Sequence, residues 1–461
     1  MSSESAQIFA KNAKQKAFDK EHRKTINYNM GKYQAAFNKG LEQYADLETA
    51  KQRAAYIKRK AINDLDKYLI EFEQHFTQNG GKVLWAGDAE EANNEILKIL
   101  ESRGLKKVVK SKSMTTEELE LNSFLESHQI ESVETDLGEY IVQLADEKPY
   151  HIVTPAMHKS REDVGQLFHE KFDWDASLSP EEMTKNVRKK LRDKFFNADA
   201  GITGANFLIA DTGSIALTEN EGNGILSMAF PKVHIIVAGI EKIIPSINDL
   251  GTMWPLLSSH GTGQHLTVYN SIITGARLEN EKDGPKETFV ILLNNKRTEV
   301  LKQDKQKISL SCIRCGACLN VCPVYKNIGG HTYATTYTGP IGSVISPWLN
   351  GLKDYKHLSF ASTLCGACTD VCPVKIPLHD LLLENRKDAV KAKLTASSER
   401  TMVKFWTKSM LNRKWLDRFG GNIKNFVVSF LMKNAWGNKR ILPKLPQKSF
   451  HDQWTEKHPE K

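Results

Sequence analysis

The sequence predicts an α/β domain followed by a compact helical module rich in cysteine and a helical C-terminal tail. Three observations carry this expectation. From residue 76 to residue 298, short apolar runs alternate with amphipathic helical stretches, the order expected of a mostly parallel sheet covered by helices. All seven cysteines lie between Cys312 and Cys372. The two ends, residues 1–75 and 391–461, carry helix-forming residues and an excess of Lys and Arg.

The chain has 461 residues, 40% hydrophobic and 26% charged. That length suggests about three domains, and the composition excludes collagen-like, disulfide-scaffold and disordered classes. The net charge of +9 is uneven. Residues 1–60 carry about +7 and residues 391–461 about +11, which leaves about −9 for the middle. No apolar run reaches 18 residues, so no transmembrane helix is expected. Met1–Lys11 lacks the apolar core of a secretory signal. The cytoplasm, where thiols stay reduced, is the default compartment. The basic ends read first as solvated helix faces. Peripheral contact with an anionic membrane stays open.

In residues 1–75, Tyr56, Ile57, Ile62, Leu65, Leu69 and Ile70 recur at three- and four-residue spacing, a helical period. Gly80-Gly81 ends the pattern. Val83–Ala86 reads as a strand, Ala89–Ser102 as a helix and Val108-Val109 as a second strand. Thr115 to Glu118 reads as a capping box that opens the next helix. Ile130–Leu137 is a third strand. Ser179-Pro180 with Glu182 marks the start of a long helix. Phe207–Ala210, Ser214–Thr218, Val233–Ala238, Leu266–Tyr269 and Thr288–Leu293 complete the strands. Asn294–Lys307 reads as a charged linker. The domains expected are thus residues 1–75, 76–298, 308–390 and 391–461, the last with Trp406, Trp415, Trp436 and Trp454 spaced along it.

The cysteines carry the chemistry. Cys312, Cys315, Cys318 and Cys322-Pro323 follow C-x2-C-x2-C-x3-C-P, the bacterial ferredoxin spacing for 4Fe-4S clusters. Cys365, Cys368 and Cys372-Pro373 repeat it, with Ser362 in the place of the first cysteine. By ferredoxin crossover, Cys312, Cys315, Cys318 and Cys372 hold one cluster. Cys322, Cys365 and Cys368 hold the other, whose fourth corner is open, on Ser362 or on an outside ligand. Zinc sites close with four ligands and do not fit seven cysteines in this pattern. Gly316 lets the backbone approach the cluster. The 42 residues between Cys322 and Cys365 are too many for a compact β-ferredoxin, and Leu378–Val390 is helical. An α-helical ferredoxin-type two-cluster module, as in respiratory iron–sulfur subunits, is therefore expected.

Other candidates are weaker. No G-x-G-x-x-G follows a strand and no P-loop exists, so nicotinamide, flavin and ATP sites lack support. Asp211–Ser214 with Glu219 and Glu221–Gly224 reads either as a pocket lining or as a hairpin turn. Lys110–Ser113 reads as an anion site or a solvated loop. His169-Glu170 reads as surface. His331 reads as a cluster-tuning residue or a plain turn.

With these parts in this order, the chain resembles the lactate utilisation protein B family over nearly its full length. The resemblance rests on Val109–Met114, Glu134–Gln143, Ala210–Gly213, Gly329–His331, Gly339–Gly342 and the tail from Leu445-Pro446 to Trp454. It implies an N-terminal LUD domain with a fold like that of CoA-transferase and formyltetrahydrofolate cyclo-ligase relatives. It implies two 4Fe-4S clusters on the seven cysteines named above. It also implies a place in a three-component cytoplasmic system that oxidises L-lactate to pyruvate for growth on lactate.

The leading expectation is an electron-transfer subunit that works with other subunits and an unidentified electron acceptor. The alternative is a cluster-bearing reductase or transferase with its own pocket near Asp211–Gly224. A nucleic-acid-binding regulator has no supporting motif.

Overall fold

The computed structural model describes residues 3–412, 415, 420–436 and 441–459. The chain ends Met1 and Lys461 and the side chain of Trp436 lie outside the described residues. Residues 3–389 form one compact unit, and residues 390–461 belong to a second.

Four helices, Glu4–Ala17, Lys20–Leu41, Leu47–Asn63 and Leu65–Gln78, open the first unit. Ser3, Asp19 and Asp46 cap the first three through their side-chain oxygens, satisfying backbone N–H groups that have no partner inside the helix. The apolar period is real but not uniform. Ile57, Ile62, Leu65 and Leu69 are buried, whereas Tyr56 and Ile70 face outward.

The α/β part holds β1 (Lys82–Ala86), β2 (Lys107–Lys110), β3 (Glu131–Glu134), β4 (Ala200–Thr203), β5 (Phe207–Ile209), β6 (Ser214–Glu219), β7 (Val233–Gly239), β8 (Ile243–Ile244), β9 (Tyr269–Ile273) and β10 (Glu287–Leu293). Six of them form a parallel sheet in the order β1-β10-β7-β4-β2-β3. The continuous apolar run of β7 fits its central place, where both faces are covered. Helices Ala89–Glu101 and Leu121–Ser127 cover one face against Ile235, Val237 and Ile291. Helix Leu65–Gln78 covers Ile236, Val290 and Leu292 on the other. A second sheet, β8-β5-β6-β9, is mixed, with a parallel β5–β8 pair beside the antiparallel β5–β6 hairpin.

Several boundaries differ from the sequence reading. Ser113, not Thr115, caps helix Met114–Glu118 by accepting the Thr116 N–H. Glu118 is turned inward onto Arg297 instead of completing a capping box. The third strand stops at Glu134, because Asp136 caps a new helix, Leu137–Leu144. The run Leu266–Tyr269 meets a strand only at its last residue, since β9 continues to Ile273. Asn294–Lys307 is not an open linker: it contains helix Arg297–Leu301, and Arg297 is 1% exposed. At Pro180 the expected cap and capping box are both present.

The cysteine region is helical, with Ala317–Val321, Pro323–Ile328, Gly339–Leu349, Leu352–Phe360, Ala367–Asp370 and Leu378–Lys391. It shares one hydrophobic core with the N-terminal helices, in which Ile26, Met30, Ala54 and Ile57 join Ile313, Leu319, Tyr325 and Ile341. In the second unit, helix Ser397–Leu411 carries exposed Val403, Phe405, Trp406 and Met410.

Candidate iron–sulfur site and adjoining cavity

Two cavities lie among the cysteines. Cys312, Cys315, Cys318 and Cys372 line one, with Gly316, Arg314 and Ile341. Cys322, Cys365, Cys368 and Ser362 line the other, with Pro323, Tyr333 and Leu382. The structure therefore brings together the four thiols of the first set and the three thiols of the second set. Cys322 and Cys372 each cross to the cavity of the other motif.

The local backbone explains how. Residues 314 and 316 have φ of +61° and +78°; residues 364 and 366, at the equivalent steps of the second motif, have +54° and +84°. Two left-handed residues flanking one cysteine fold each loop back on itself, and glycine takes this conformation at no steric cost. Gly316 also abuts His151 and Val153, where a Cβ would sit 3.2 Å and 3.1 Å from ring and methyl carbons. Its role is thus turn geometry and close packing. In the first loop the Arg314 N–H donates to Cys312 Sγ at 3.4 Å; in the second the Leu364 N–H donates to Ser362 Oγ at 3.1 Å. The Tyr325 N–H points at Cys322 Sγ (3.5 Å), and the Ile376 N–H at Cys372 Sγ (3.3 Å). Pro323 opens the helix that follows Cys322, which aims the Tyr325 N–H at the sulfur.

All seven thiols are free. Burial pushes Cys315 and Cys318 well up, and neighbouring cysteines add to the shift. Burial also raises Cys368 and Cys372 to about 11. Cys365 is exposed, and the Ala367 N–H and the Thr363 side chain lower it. Buried thiols gathered so closely resist ionisation unless a multivalent cation compensates them. Iron supplies that charge, and backbone N–H groups aimed at sulfur are a known lever on cluster potential. The donor set fits iron–sulfur binding.

Above the first cavity sits a buried ion network that the sequence reading did not find. Arg297 bonds Glu118 through two 2.8 Å contacts and Glu241 at 2.5 Å. Arg314, between two of the cysteines, donates to Glu241 at 3.3 Å and lies over the Tyr337 ring at 4.3 Å. Burial alone would raise the Glu241 carboxyl, but Arg297, Arg314 and Lys242 hold it down to about 2. One signal was present: Glu241-Lys242 interrupts the apolar run Val233–Ile244, and charges placed there must be paired.

The weaker candidates separate. Asp211–Ser214 is the β5–β6 turn, with Asp211 accepting the Ile247 N–H. Gly213 has φ of +58°, and a Cβ there would lie 2.2 Å from the Phe76 nitrogen. Glu219, Glu221, Asn223 and Gly224 do line a large cavity, together with Ser111, Lys112 and Ser113. Lys110 is buried and paired with Glu134 at 2.6 Å, so its segment is not a solvated loop. His169 is exposed. His331 bonds the Lys148 carbonyl and groups with Glu147 and His158, and it lines neither cysteine cavity. Gly329-Gly330 is small because Tyr150 packs on it.

Among the described residues, no helix is long and apolar enough to cross a membrane. Residues 69–293 match the LUD domain, and residues 308–376 match the 4Fe-4S dicluster domain. The chain is 46% identical to lactate utilization protein B of Bacillus subtilis over 76% of this chain and 73% of that one. It is 45% identical to the protein of that name from Bacillus velezensis, over the same shares. It is also 38% identical to the uncharacterized electron transport protein YkgF of Escherichia coli, over 98% of this chain and 96% of that one. On these matches, the chain belongs to the lactate utilization protein B family.

Proposed function

We propose that this chain is the iron–sulfur electron-transfer component of a multi-subunit system oxidising L-lactate to pyruvate for growth on lactate. The observation that supports it most is the sorting of the thiols, four into one cavity and three with Ser362 into the other. Cys312, Cys315, Cys318 and Cys372 hold one 4Fe-4S cluster; Cys322, Cys365 and Cys368 hold the second. When bound, each cluster accepts and releases one electron, and lactate oxidation yields two. Around the first site, burial excludes water, and the Arg314 guanidinium favours the anionic thiolates that burial alone disfavours. Around the second, exposed Cys365 gives an outlet toward a partner. Lactate chemistry itself belongs to other subunits, with an electron acceptor beyond them, all in the cytoplasm. The α/β part has the CoA-transferase/formyltetrahydrofolate cyclo-ligase type of fold. The N-terminal helices, the α/β part from 76 to 298, the two-cluster module from 308 to 390 and the basic tail act as its four domains.

Electron paramagnetic resonance of anaerobically purified protein tests this reading. The chain alone stays unreduced by L-lactate, and co-purified partner subunits restore reduction. Reduction of the isolated chain by lactate would move the oxidation site onto it. That outcome favours the second reading, a reductase or transferase, which the cavity at Glu219–Gly224 supports.

A further inference from the structure

The cavity lined by Glu219, Glu221 and Lys112 has a volume of about 880 Å³, within the range of small-molecule sites. Part of its wall is cationic, formed by Lys242 and Arg314. The Arg314 side chain is 8% exposed, and only its Nη2 reaches an acceptor, on Glu241. Its Nε and Nη1 have no partner, nor does the Oγ of Ser111, 4% exposed, on the same cavity. Lys242, also buried, makes no hydrogen bond through its ammonium among the described residues.

The charge count points the same way. Lys58, Lys242, Arg297 and Arg314 meet around the Glu241 segment, and three anionic groups, the Glu118 and Glu241 carboxylates and the Cys312 thiolate, answer them. Orphaned buried donors each cost about 1–3 kcal/mol, and unpaired buried cations cost more. An anionic group in the cavity relieves both. Elsewhere the wall carries the carboxylates Asp136, Glu219 and Glu221, which accept hydrogen bonds. A ligand reaching them carries donors, and a three-carbon acid leaves most of the space unfilled.

We propose that this cavity binds a hydroxylated organic anion, with its carboxylate or phosphate on Arg314 and Lys242 and its hydroxyls toward Glu219 and Glu221. The site adjoins Cys315, which lines both this cavity and the first cysteine cavity. The proposal goes beyond electron transfer and does not depend on it.

Anaerobic calorimetric titration of the cluster-loaded full chain tests it, with gluconate, glucose 6-phosphate and inorganic phosphate as probes. Gluconate or glucose 6-phosphate binds with a Kd of about 1 mM or tighter and about tenfold tighter than inorganic phosphate. The tighter of the two tells carboxylate from phosphate. Lys242→Gln weakens binding at least about tenfold, Lys242→Arg restores most of it, and cluster absorbance is the same in both variants. Three results overturn the proposal: no binding of either organic anion at about 10 mM, unchanged affinity in Lys242→Gln, or inorganic phosphate binding as tightly as the organic anions.

Discussion

Ser362 holds in the second cysteine loop the backbone position that Cys312 holds in the first. Each accepts the N–H two residues on, at 3.1 Å and 3.4 Å, from a residue with positive φ. The loop that would present an eighth thiol is therefore built, and a hydroxyl stands where the sulfur would. Ser362→Ala changes the paramagnetic spectrum of the second cluster if the oxygen is its fourth ligand. An unchanged spectrum assigns that corner to a ligand from outside the chain. Ser362→Cys supplies a thiol in the same geometry and makes the second cluster more resistant to loss in air.

Anaerobic reconstitution gives about eight irons per chain, as two cubanes require. Cys372→Ala loses the first cluster and Cys365→Ala the second, each leaving about four irons. If Cys372→Ala instead removes the cluster that Cys365→Ala removes, the crossover is wrong. Iron and sulfide analysis with spectra of each variant decides it.

Glu241→Gln leaves Arg297 and Arg314 without a shared carboxylate. Breaking a buried ion pair costs about 3–5 kcal/mol, read as a lower denaturation midpoint at pH 7. The folded-state carboxyl is held down to about 2, below its ordinary value of 4.5. Its contribution is therefore present above pH 4.5 and is lost as pH falls toward 2. The gap between the parent protein and Glu241→Gln narrows over that window; a gap independent of pH would refute the account.

Gly330→Ala places a Cβ 1.8 Å from the Tyr150 carbonyl oxygen. The backbone must shift, at about 1–3 kcal/mol, and urea denaturation measures it. Gly104→Ala, whose Cβ meets nothing within 4 Å, pays only for its positive φ of 65°.

The α/β order, the Ser179 cap and the two groups of cysteines were legible because each is written in local spacing. The capping box at Thr115 misled, because Ser113 offers an equally good cap two residues earlier and Glu118 finds a stronger partner in Arg297, 179 residues away. Distance along the chain also hid the Arg297–Glu241–Arg314 network and the large cavity, whose walls come from segments as remote as Lys112, Lys242 and Arg314. The hairpin at Asp211–Ser214 and the cavity residues Glu219–Gly224 are neighbours in sequence, but the strand β6 separates them.

The N-terminal helices are tied to the last part of the first unit. Ser3 bonds the Asp354 carbonyl, Lys51 the Asp370 carbonyl and Arg59 the Lys375 carbonyl, across more than 300 residues. During synthesis the first helices leave the ribosome long before these partners exist, and contacts so distant in sequence form late. Ile26, Met30 and Ile57 share their core with Leu250, Met253 and Leu256 as well, so only the part of these helices that faces the cysteine region waits uncovered meanwhile. Docking of the cysteine region onto these helices is then a late step of maturation, and a chain that lacks residues 312–376 leaves that face open to chaperones and proteases.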